Sequence, residues 1–272
     1  MNTKTNVMSE SLREFPTPKL NENRYDFPTE VINLPSEGRV YPESSPLSKG
    51  TITIKYMTAK EEDILSSQNL IKKGIVMDKL LESLIVDASI DELVIGDKNA
   101  IFLAARILGY GPNYDVEITD PFSGNKQKVT IDLSKVKTKD LNLDLLNRRN
   151  VYEYELPLSK KKIKFKLLTH KDERDITEEV QALQKISKGK ESPEITVRLK
   201  KMILEVDGNA DRAFINKWVV NQFLARDTKA FREHVREISP DLDLKFNFVS
   251  EETGETEALD IPFGVSFFYP TT

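Results

Sequence analysis

A chain of 272 residues, of which 39% are hydrophobic and 31% charged, is long enough to bury the cores of two ordinary domains beneath a well-solvated surface. The formal net charge of −4 argues against a dedicated surface for nucleic acid or anionic membranes. Cysteine is absent, which excludes disulfides and thiolate zinc sites. With only two histidines, we expect no metal and no cofactor.

The sequence also argues against a membrane partner. No apolar run approaches the ~18 residues that a membrane span needs. The beginning of the chain, MNTKTNVMSESLREFPTPKL, lacks the apolar segment of a secretory signal. We therefore expect a globular protein that stays in the cytoplasm of the cell that makes it.

We interpret residues 1–49 as an extended N-terminal arm and lead-in. The arm is polar and interrupted by prolines, a composition typical of a flexible segment. Its aromatic residues Phe15, Tyr25 and Phe27 are candidates for contact with a partner, because an arm with spaced aromatics can order on binding. The lead-in INLPSEGRVYPESSPLSKG predicts two extended pieces around a turn, since each proline disfavours helix at the preceding residue.

The most informative feature is a repeat. The stretch TITIKYMTAKEEDIL in the first half has a close echo, KIKFKLLTHKDERDI, in the second, and Ile52 aligns with Ile163 at an offset of 111 residues. Each copy alternates apolar residues as a half-buried strand does, and then places acids shortly after a threonine, as at a helix start. This predicts an α+β fold made by tandem duplication of a strand–helices–hairpin module, over residues 50–150 and 151–272.

In the first module we expect a helix over residues 59–68 that starts at Thr58, a break at Gly74 and a second helix around Leu80. Asp97 is the expected cap of a third helix, which the glycines of ILGYG would end. Alternating residues on both sides of DPFSG then predict a β-hairpin.

The second module is expected to open with a strand pair joined at residues 157–161. After a long helix, Pro193 suits the first turn of the next one, whose apolar face would include Ile203 and Val206. The stretch VDGNADRAF resembles IGDKNAIF at nearly the same offset as the repeat, which predicts matching helices. Asp227 is the expected cap of a later helix, and a final hairpin turns within SEETG.

Basic residues offer two further candidates for contact. Arg148 and Arg149, in the charged connector between the modules, are suited to an acidic protein partner. The lysines at 160–166 could contact nucleic acid. Pairing with the acids of the adjacent EYE stretch is the simpler explanation for these lysines, so nucleic acid is an unlikely partner.

The C-terminal stretch IPFGVSFFYPTT is the strongest candidate for a contact surface. Strand alternation would turn Phe263, Val265 and Phe267 toward the core and leave Phe268 or Tyr269 on the opposite side. An exposed aromatic pair there would mark an interface. The alternative is that the chain itself covers both faces of this segment.

We find no constellation of residues that predicts catalysis. GYGPNY has two glycines but lacks the lysine and the helix start of a phosphate-binding loop. His170 takes the place of Ala59 in the first copy, so we expect it to face solvent in a helical first turn. His234 is expected on a helix surface. We therefore assign no catalytic, cofactor-binding or metal-binding residue.

Together, LPSEGRVYP, ITIKYMTAKEEDIL, IGDKNAIF, RILGYG, DLDLKFNF and IPFGVSFFYP resemble the baseplate hub and hub-assembly proteins of T-even-type contractile-tailed bacteriophages, over residues 32–270. The resemblance implies a non-enzymatic protein that helps to build the central baseplate and contacts other baseplate or tail proteins, with self-association as a further option. It leaves open whether the chain is a hub subunit of the virion or an assembly chaperone absent from the finished particle. Family members often carry cysteine pairs in the hairpins, and their absence here puts any metal in doubt.

Two other classes of function remain as alternatives. A nucleic-acid-binding protein would need the lysines of 160–166 to converge with Arg148 and Arg149 on one face. An enzyme would need a pocket with convergent polar groups, and the two histidines offer little material for one.

Overall fold

The structure is a computed structural model that describes residues 27–187 and 193–268. Within these residues the chain forms eight α-helices and eleven strands, and the strands pair antiparallel in five small sheets. The helices are α1 (Ala59–Ser66), α2 (Gln68–Lys73), α3 (Val76–Leu84), α4 (Ile95–Tyr110), α5 (His170–Ile186), α6 (Glu194–Met202), α7 (Arg212–Asn221) and α8 (Ala225–Ile238). The predicted α+β class is confirmed.

The strands are short. Below, the residues up to 150 are called the first half and those from 151 onward the second half. The strands of the first half are β1 (Thr29–Asn33), β2 (Thr51–Lys55), β3 (Asn113–Thr119), β4 (Lys126–Asp132) and β5 (Lys137–Thr138). Those of the second half are β6 (Tyr152–Glu155), β7 (Lys162–Phe165), β8 (Ile203–Val206), β9 (Leu242–Asp243), β10 (Lys245–Val249) and β11 (Thr256–Asp260).

The lead-in is joined to the residues that follow it. Strand β1 pairs along its whole length with β2, the strand of the repeated stretch. The backbone N–H of Leu34 donates to the carbonyl of Gly50 at 2.9 Å and closes the loop between the two strands. Strand β1 thus lies in one sheet with β2. The expectation of a second extended piece is wrong, because residues 34–49 form turns and a 3-10 helix over Pro46–Lys49. The division of the chain at residues 50 and 151 stays a prediction.

Helix α1 begins at the predicted residue because Thr58 and Glu61 bond to each other. Thr58 N and Oγ1 donate to Glu61 Oε2 at 2.8 and 2.7 Å. Lys55, at the end of β2, places its Nζ 2.6 Å from Glu61 Oε1. Burial would raise the pKa of Glu61, but hydrogen bonds from Lys55, Ser83 and Thr58 outweigh it and lower the pKa to about 2.

The second half repeats this network at the predicted offset of 111 residues. Thr169 N donates to Asp172 Oδ2 at 3.1 Å at the start of α5, and Lys166 Nζ lies 2.7 Å from the same oxygen. Both threonines therefore start helices, as the sequence predicts. That the two halves arose by duplication stays a prediction.

The next helices also correspond in position, although one predicted boundary is wrong. Helices α3 and α6 are each followed directly by a residue that pairs with the repeated strand: Ile85 bridges to Ile54, and Ile203 pairs with Phe165. Ile203 and Val206 were expected on a helical face but lie in strand β8. The helical spacing of apolar residues continues past the end of α6, so periodicity alone could not locate this boundary.

Asp97 does not cap its helix at the predicted position. Helix α4 begins at Ile95, so Asp97 is its third residue. The Asp97 carboxylate is fully buried and accepts hydrogen bonds from Ser36 N at 2.9 Å, Ser36 Oγ at 2.6 Å and Tyr41 O–H at 2.5 Å. Burial raises the pKa of Asp97 to about 6 despite these bonds. The residue thereby ties the lead-in loop to α4.

Asp227 plays the same part in the second half, where it too is the third residue of its helix and not the expected cap. Its carboxylate is buried and accepts from Leu158 N at 2.7 Å and from Ser159 N at 3.0 Å. The donating loop follows strand β6 and begins with Leu-Pro, as the lead-in loop does after β1. Helix α8 is therefore the counterpart of α4, at an offset of 130 residues from Asp97 to Asp227.

The predicted match between VDGNADRAF and IGDKNAIF is wrong. Gly208 lies in the turn before α7 with φ +83°, whereas Gly96 lies inside α4. A Cβ on Gly96 would stand 1.9 Å from the carbonyl oxygen of Pro240, so the glycine is required by a close backbone approach and not by a turn. Gly109 also lies within α4 and does not end it.

Both predicted hairpins form, and their tips meet. Strands β3–β4 and β10–β11 turn through DPFSG and SEETG as expected. Ser250 Oγ donates to Asp120 Oδ2 at 2.5 Å, and Asn125 Nδ2 donates to Glu252 Oε1 at 2.7 Å. Asp120 and Ser250 are themselves related by the offset of 130 residues. The two hairpins thus join the halves at equivalent positions.

The end of the described chain is helical and packs on the first half. Residues Val265–Phe268 form a 3-10 helix in place of the expected strand, and Phe268 is completely buried instead of facing outward. Its ring centroid lies 5.9 Å from that of Phe102 on α4. Arg106 Nε donates to the Phe267 carbonyl at 2.9 Å, which fixes this segment against α4.

One hydrophobic core runs through both halves. Helix α4 lies at its centre, while α8 buries only one face. Strand β5 pairs with β9 and adds a backbone link between the halves. The described residues therefore form one packed body.

Candidate interaction surfaces

The structure places four of the seven predicted contact residues. Phe15, Tyr25 and Tyr269 lie outside the described residues. Phe27 is half-buried at the start of the described chain, with Lys55 Nζ 6.0 Å from its ring centroid. Its aromatic face is therefore engaged, at least in part, by its own chain.

Arg148 and Arg149 lie side by side in a turn of the connector, and both are exposed. Arg148 Nε is 3.9 Å from Glu43 Oε1, a loose surface ion pair. The backbone N–H of Arg149 donates to Asn147 Oδ1 at 3.1 Å, which orders the turn without using the guanidinium. Both charges remain accessible from solvent, and their role in contact stays a prediction.

Phe268 does not offer the expected contact surface. The strand alternation that would expose it is wrong, because the segment is a 3-10 helix that buries Phe267 and Phe268 together. Of the two options that the sequence left open at this end, the structure has the chain covering its own aromatic residues up to position 268.

The lysine cluster is largely neutralised by acids. Strand register sets Lys164 opposite Glu153 and Lys162 opposite Glu155, as the sequence indicates. The nearest carboxylates, however, come from the other side: Lys164 Nζ is 3.0 Å from Glu205 Oε2. In the same region Lys161 pairs with Asp207 at 2.7 Å. With the pair of Lys166 and Asp172, these ion pairs engage three of the five lysines at 160–166, while Lys160 and Lys162 are exposed.

His170 is buried, and the expectation that it faces solvent is wrong. Only 2% of the residue is accessible, and neither ring nitrogen has a hydrogen-bond partner within the part of the chain that the structure describes. Burial lowers its pKa, and Asp78, whose Oδ1 lies 3.6 Å from Nε2, opposes that effect. Its first-half counterpart Ala59 is exposed.

The structure does not bring the histidines together. His234 stacks on Tyr154, with 4.3 Å between ring centroids. Across residues 27–187 and 193–268, no three His, Asp or Glu side chains lie close enough to hold a metal ion. Within the same ranges, no helix is long and apolar enough to cross a membrane.

A cavity of about 710 Å³ lies between the two halves, near the start of α4 and the end of α8. Apolar side chains form its floor, and neither histidine is among its lining residues. Its basic side chains are partly engaged: Arg198 holds both oxygens of Glu173 at 2.6 Å, and Lys139 Nζ donates to the Glu237 carbonyl at 3.0 Å. Acidic side chains also line the cavity: Asp241, Asp243 and Asp260.

Sequence reasoning missed an exposed apolar corner in the second half. Leu158, Val220 and Leu224 are 50%, 56% and 46% exposed. Leu224 immediately precedes α8, and Leu158 is held near the start of that helix by its bond to Asp227. Two features of the sequence were available as signals. Leu224 stands at a helix cap, where polar residues are preferred, and Leu158 stands in a lysine-rich turn.

The fold and these surfaces define an α+β protein whose halves share one hydrophobic core and whose second half exposes several apolar side chains. Residues 29–269 match the family described as T4 bacteriophage base plate protein, and the chain belongs to that family. It is therefore a phage baseplate protein with a structural or assembly role. The family that the sequence motifs indicated is confirmed. No curated protein and no solved structure matched the chain.

Proposed function

We propose that the chain is a non-enzymatic structural or assembly protein of the baseplate hub, which acts through protein–protein contacts alone. Its partners are other baseplate or tail proteins and further copies of itself. No small-molecule substrate, cofactor or membrane takes part. The protein joins the growing baseplate in the host cytoplasm and remains in the tail.

The observation that carries this proposal is the uneven distribution of exposed apolar side chains on a body whose halves are firmly joined. Most of the large exposed hydrophobic residues belong to the second half: Val151, Leu158, Ile186, Ile195, Phe214, Val220, Leu224 and Val249. Among them, Leu158, Val220 and Leu224 form the apolar corner near the start of α8, and contiguous exposed apolar surface is typical of sites for protein contact. The joined halves would hold such sites at fixed separations.

Mass spectrometry of purified phage tails, compared with lysate of the infected cells, tests residence in the particle. We expect peptides of this chain in the tails at a constant ratio to the other baseplate proteins. Their presence in the lysate but not in the tails would support the alternative, a transient assembly chaperone. Loss of the gene without any defect in baseplate assembly would contradict both.

A nucleic-acid-binding function is the alternative of another class, and it would use the lysines of 160–166. The ion pairs of Lys161 and Lys164 argue against it. DNA binding that weakens steeply as salt rises would support this alternative and contradict the hub proposal.

A further inference from the structure

Within one copy of the protein, the second half packs against a small surface of the first half, which we call the first corner. This first corner consists of Leu93 and Val94, just before α4, and it receives the start of α5. Val94 forms an antiparallel bridge with Thr169, and His170 N donates to the Leu93 carbonyl at 2.7 Å. As a result only 3% of Val94 is accessible.

The second half carries an equivalent corner that nothing in the described chain covers. Leu224 precedes α8 as Val94 precedes α4, at the same offset of 130 residues that relates Asp97 to Asp227. Leu224 is nevertheless exposed, together with Leu158 and Val220. We call Leu158, Val220 and Leu224 the second corner.

The element that fills the first corner also has an uncovered equivalent. Thr58 and Ala59, at the start of α1, correspond to Thr169 and His170 at the start of α5. Both are exposed, whereas His170 is buried against the first half. The described residues therefore contain one occupied pair of surfaces and the two separate members of a second pair, which these residues leave unoccupied.

The two exposed surfaces, the start of α1 and the second corner, carry charges of opposite sign. In the occupied pair, Arg174 on α5 contacts Asp91 beside the first corner, with 3.1 Å between Nη2 and Oδ1. On α1 the position of Arg174 is taken by Asp63, which is exposed. Beside the second corner α7 presents Lys217, three residues before Val220 and on the same helical face. At the offset of 130 residues the counterpart of Asp91 is Asn221 and not Lys217, but the charge of Lys217 is complementary to that of Asp63.

We propose that the second corner of one copy binds the start of α1 of another copy, so that chains associate head to tail. The surfaces in contact differ, so each copy offers one surface and accepts the other. Such a heterologous contact forms a ring where the rotation between copies closes, and an open filament where it does not. The contact rests on the self-association included in the proposed function and names the two surfaces through which copies bind.

Disulfide cross-linking tests this contact cleanly, since the natural chain has no cysteine. We would purify Ala59→Cys and Leu224→Cys separately, mix them under mild oxidation, and measure covalent dimers. Matching geometry should give at least about tenfold more dimer in the mixture than in either variant alone. Dimers of Leu224→Cys alone at the same yield would indicate a symmetric contact and overturn the proposal, as would a mixture with no excess.

Sedimentation of two variants, each with an exposed apolar residue replaced by aspartate, gives a second measure of self-association. Leu224→Asp should weaken self-association at least about tenfold, as loss of a central anchor does. The variant should still fold, because aspartate is favoured at the position before a helix. Val249→Asp is the matched control: Val249 is similarly exposed but lies on the hairpin, and it should leave association unchanged. Equal behaviour of the two variants, or a chain that is monomeric at about 100 µM, would contradict the contact.

Discussion

Helices α4 and α8 occupy equivalent places in the two halves, yet their surroundings differ. Gly96 and Arg106 of α4 correspond to Arg226 and Arg236 of α8. The first two are buried, whereas both arginines of α8 are exposed. The two helices share their third residue, an aspartate (Asp97 or Asp227) that accepts hydrogen bonds from the loop after the first strand of its own half. This hydrogen bond is common to both halves. The differences in burial follow from the elements that pack around each helix.

This comparison shows how one arrangement of elements serves two positions in a molecule. Helix α4 packs against the C-terminal segment and strand β9, and its Gly96 allows the close approach of the Pro240 backbone. Helix α8 has solvent on one side and keeps an amphipathic pattern. If the account is right, substitutions at equivalent positions should have very unequal effects.

The largest difference is expected at the second residue of each helix. Alanine normally stabilises a helix relative to glycine. Gly96→Ala should instead lower the free energy of unfolding by about 3 kcal/mol, because its Cβ would clash with the Pro240 backbone. Arg226→Ala should have little effect, since Arg226 is exposed. Urea denaturation measures both, and a stabilised Gly96→Ala protein would show that Pro240 does not pack there.

The next largest difference in stability is expected between substitutions of Arg106 and Arg236, which occupy equivalent positions in α4 and α8. Arg106 donates to the carbonyls of Phe267, Gly111 and Asn113 at 2.9, 3.0 and 3.1 Å. Arg106→Leu leaves these acceptors without a donor and should cost about 2 kcal/mol, with faster proteolysis near the C-terminus. Arg236→Leu should be nearly neutral. Equal losses in thermal unfolding of the two variants would contradict the burial of α4.

The two aspartates should differ in the pH dependence of stability. The pKa of Asp97 is raised to about 6 by burial, above the usual ~3.9 of the unfolded chain. The folded state then binds the proton more tightly, so this contribution is present below about pH 4 and is lost as pH rises through 6. Comparing Asp97→Asn with the natural chain at several pH values should reveal that loss.

Asp227 should show the opposite sign. Burial would raise its pKa, but bonds from Ser159 and Leu158 outweigh that effect and lower it. Its contribution is therefore present above about pH 4 and is lost as pH falls further. Asp227→Asn should change the stability curve only in that acidic range, and a change between pH 4 and 6 would be inconsistent with the assigned bonds.

The smallest effect on stability is expected at the first residues of α5 and α1, His170 and Ala59. Burial lowers the pKa of His170, so the unfolded chain binds protons below about pH 6.5 more readily than the folded one. The contribution of His170 to stability should decline as pH falls through that value. His170→Met should remove this slope, while Ala59→His, exposed in the first half, should add none. Denaturation at pH 7.5 and 5.5 would measure it.

Local signals in the sequence predicted much of the fold. A threonine followed by an acid three residues later located the starts of α1 and α5, since these bonds form within one turn. Alternation around a glycine-containing turn located both hairpins. These features depend on residues close together in sequence.

What the sequence did not predict depends on distant contacts. The burial of His170 and Phe268 comes from packing of one half on the other, which strand and helix periods do not report. The role of Gly96 was not predicted because Pro240, whose backbone approaches it closely, is far away in the chain. The exposed second corner became visible only by comparison with its covered counterpart, Val94.

The accessibility of the two corners is the most direct test of the account. A single cysteine at Val94 or at Leu224 can be labelled with a thiol reagent in dilute solution, where copies stay apart. We expect Leu224→Cys to react on the order of 100-fold faster, because Val94→Cys becomes accessible only when the halves open. Equal rates at the two positions would show that the second half does not cover the first corner.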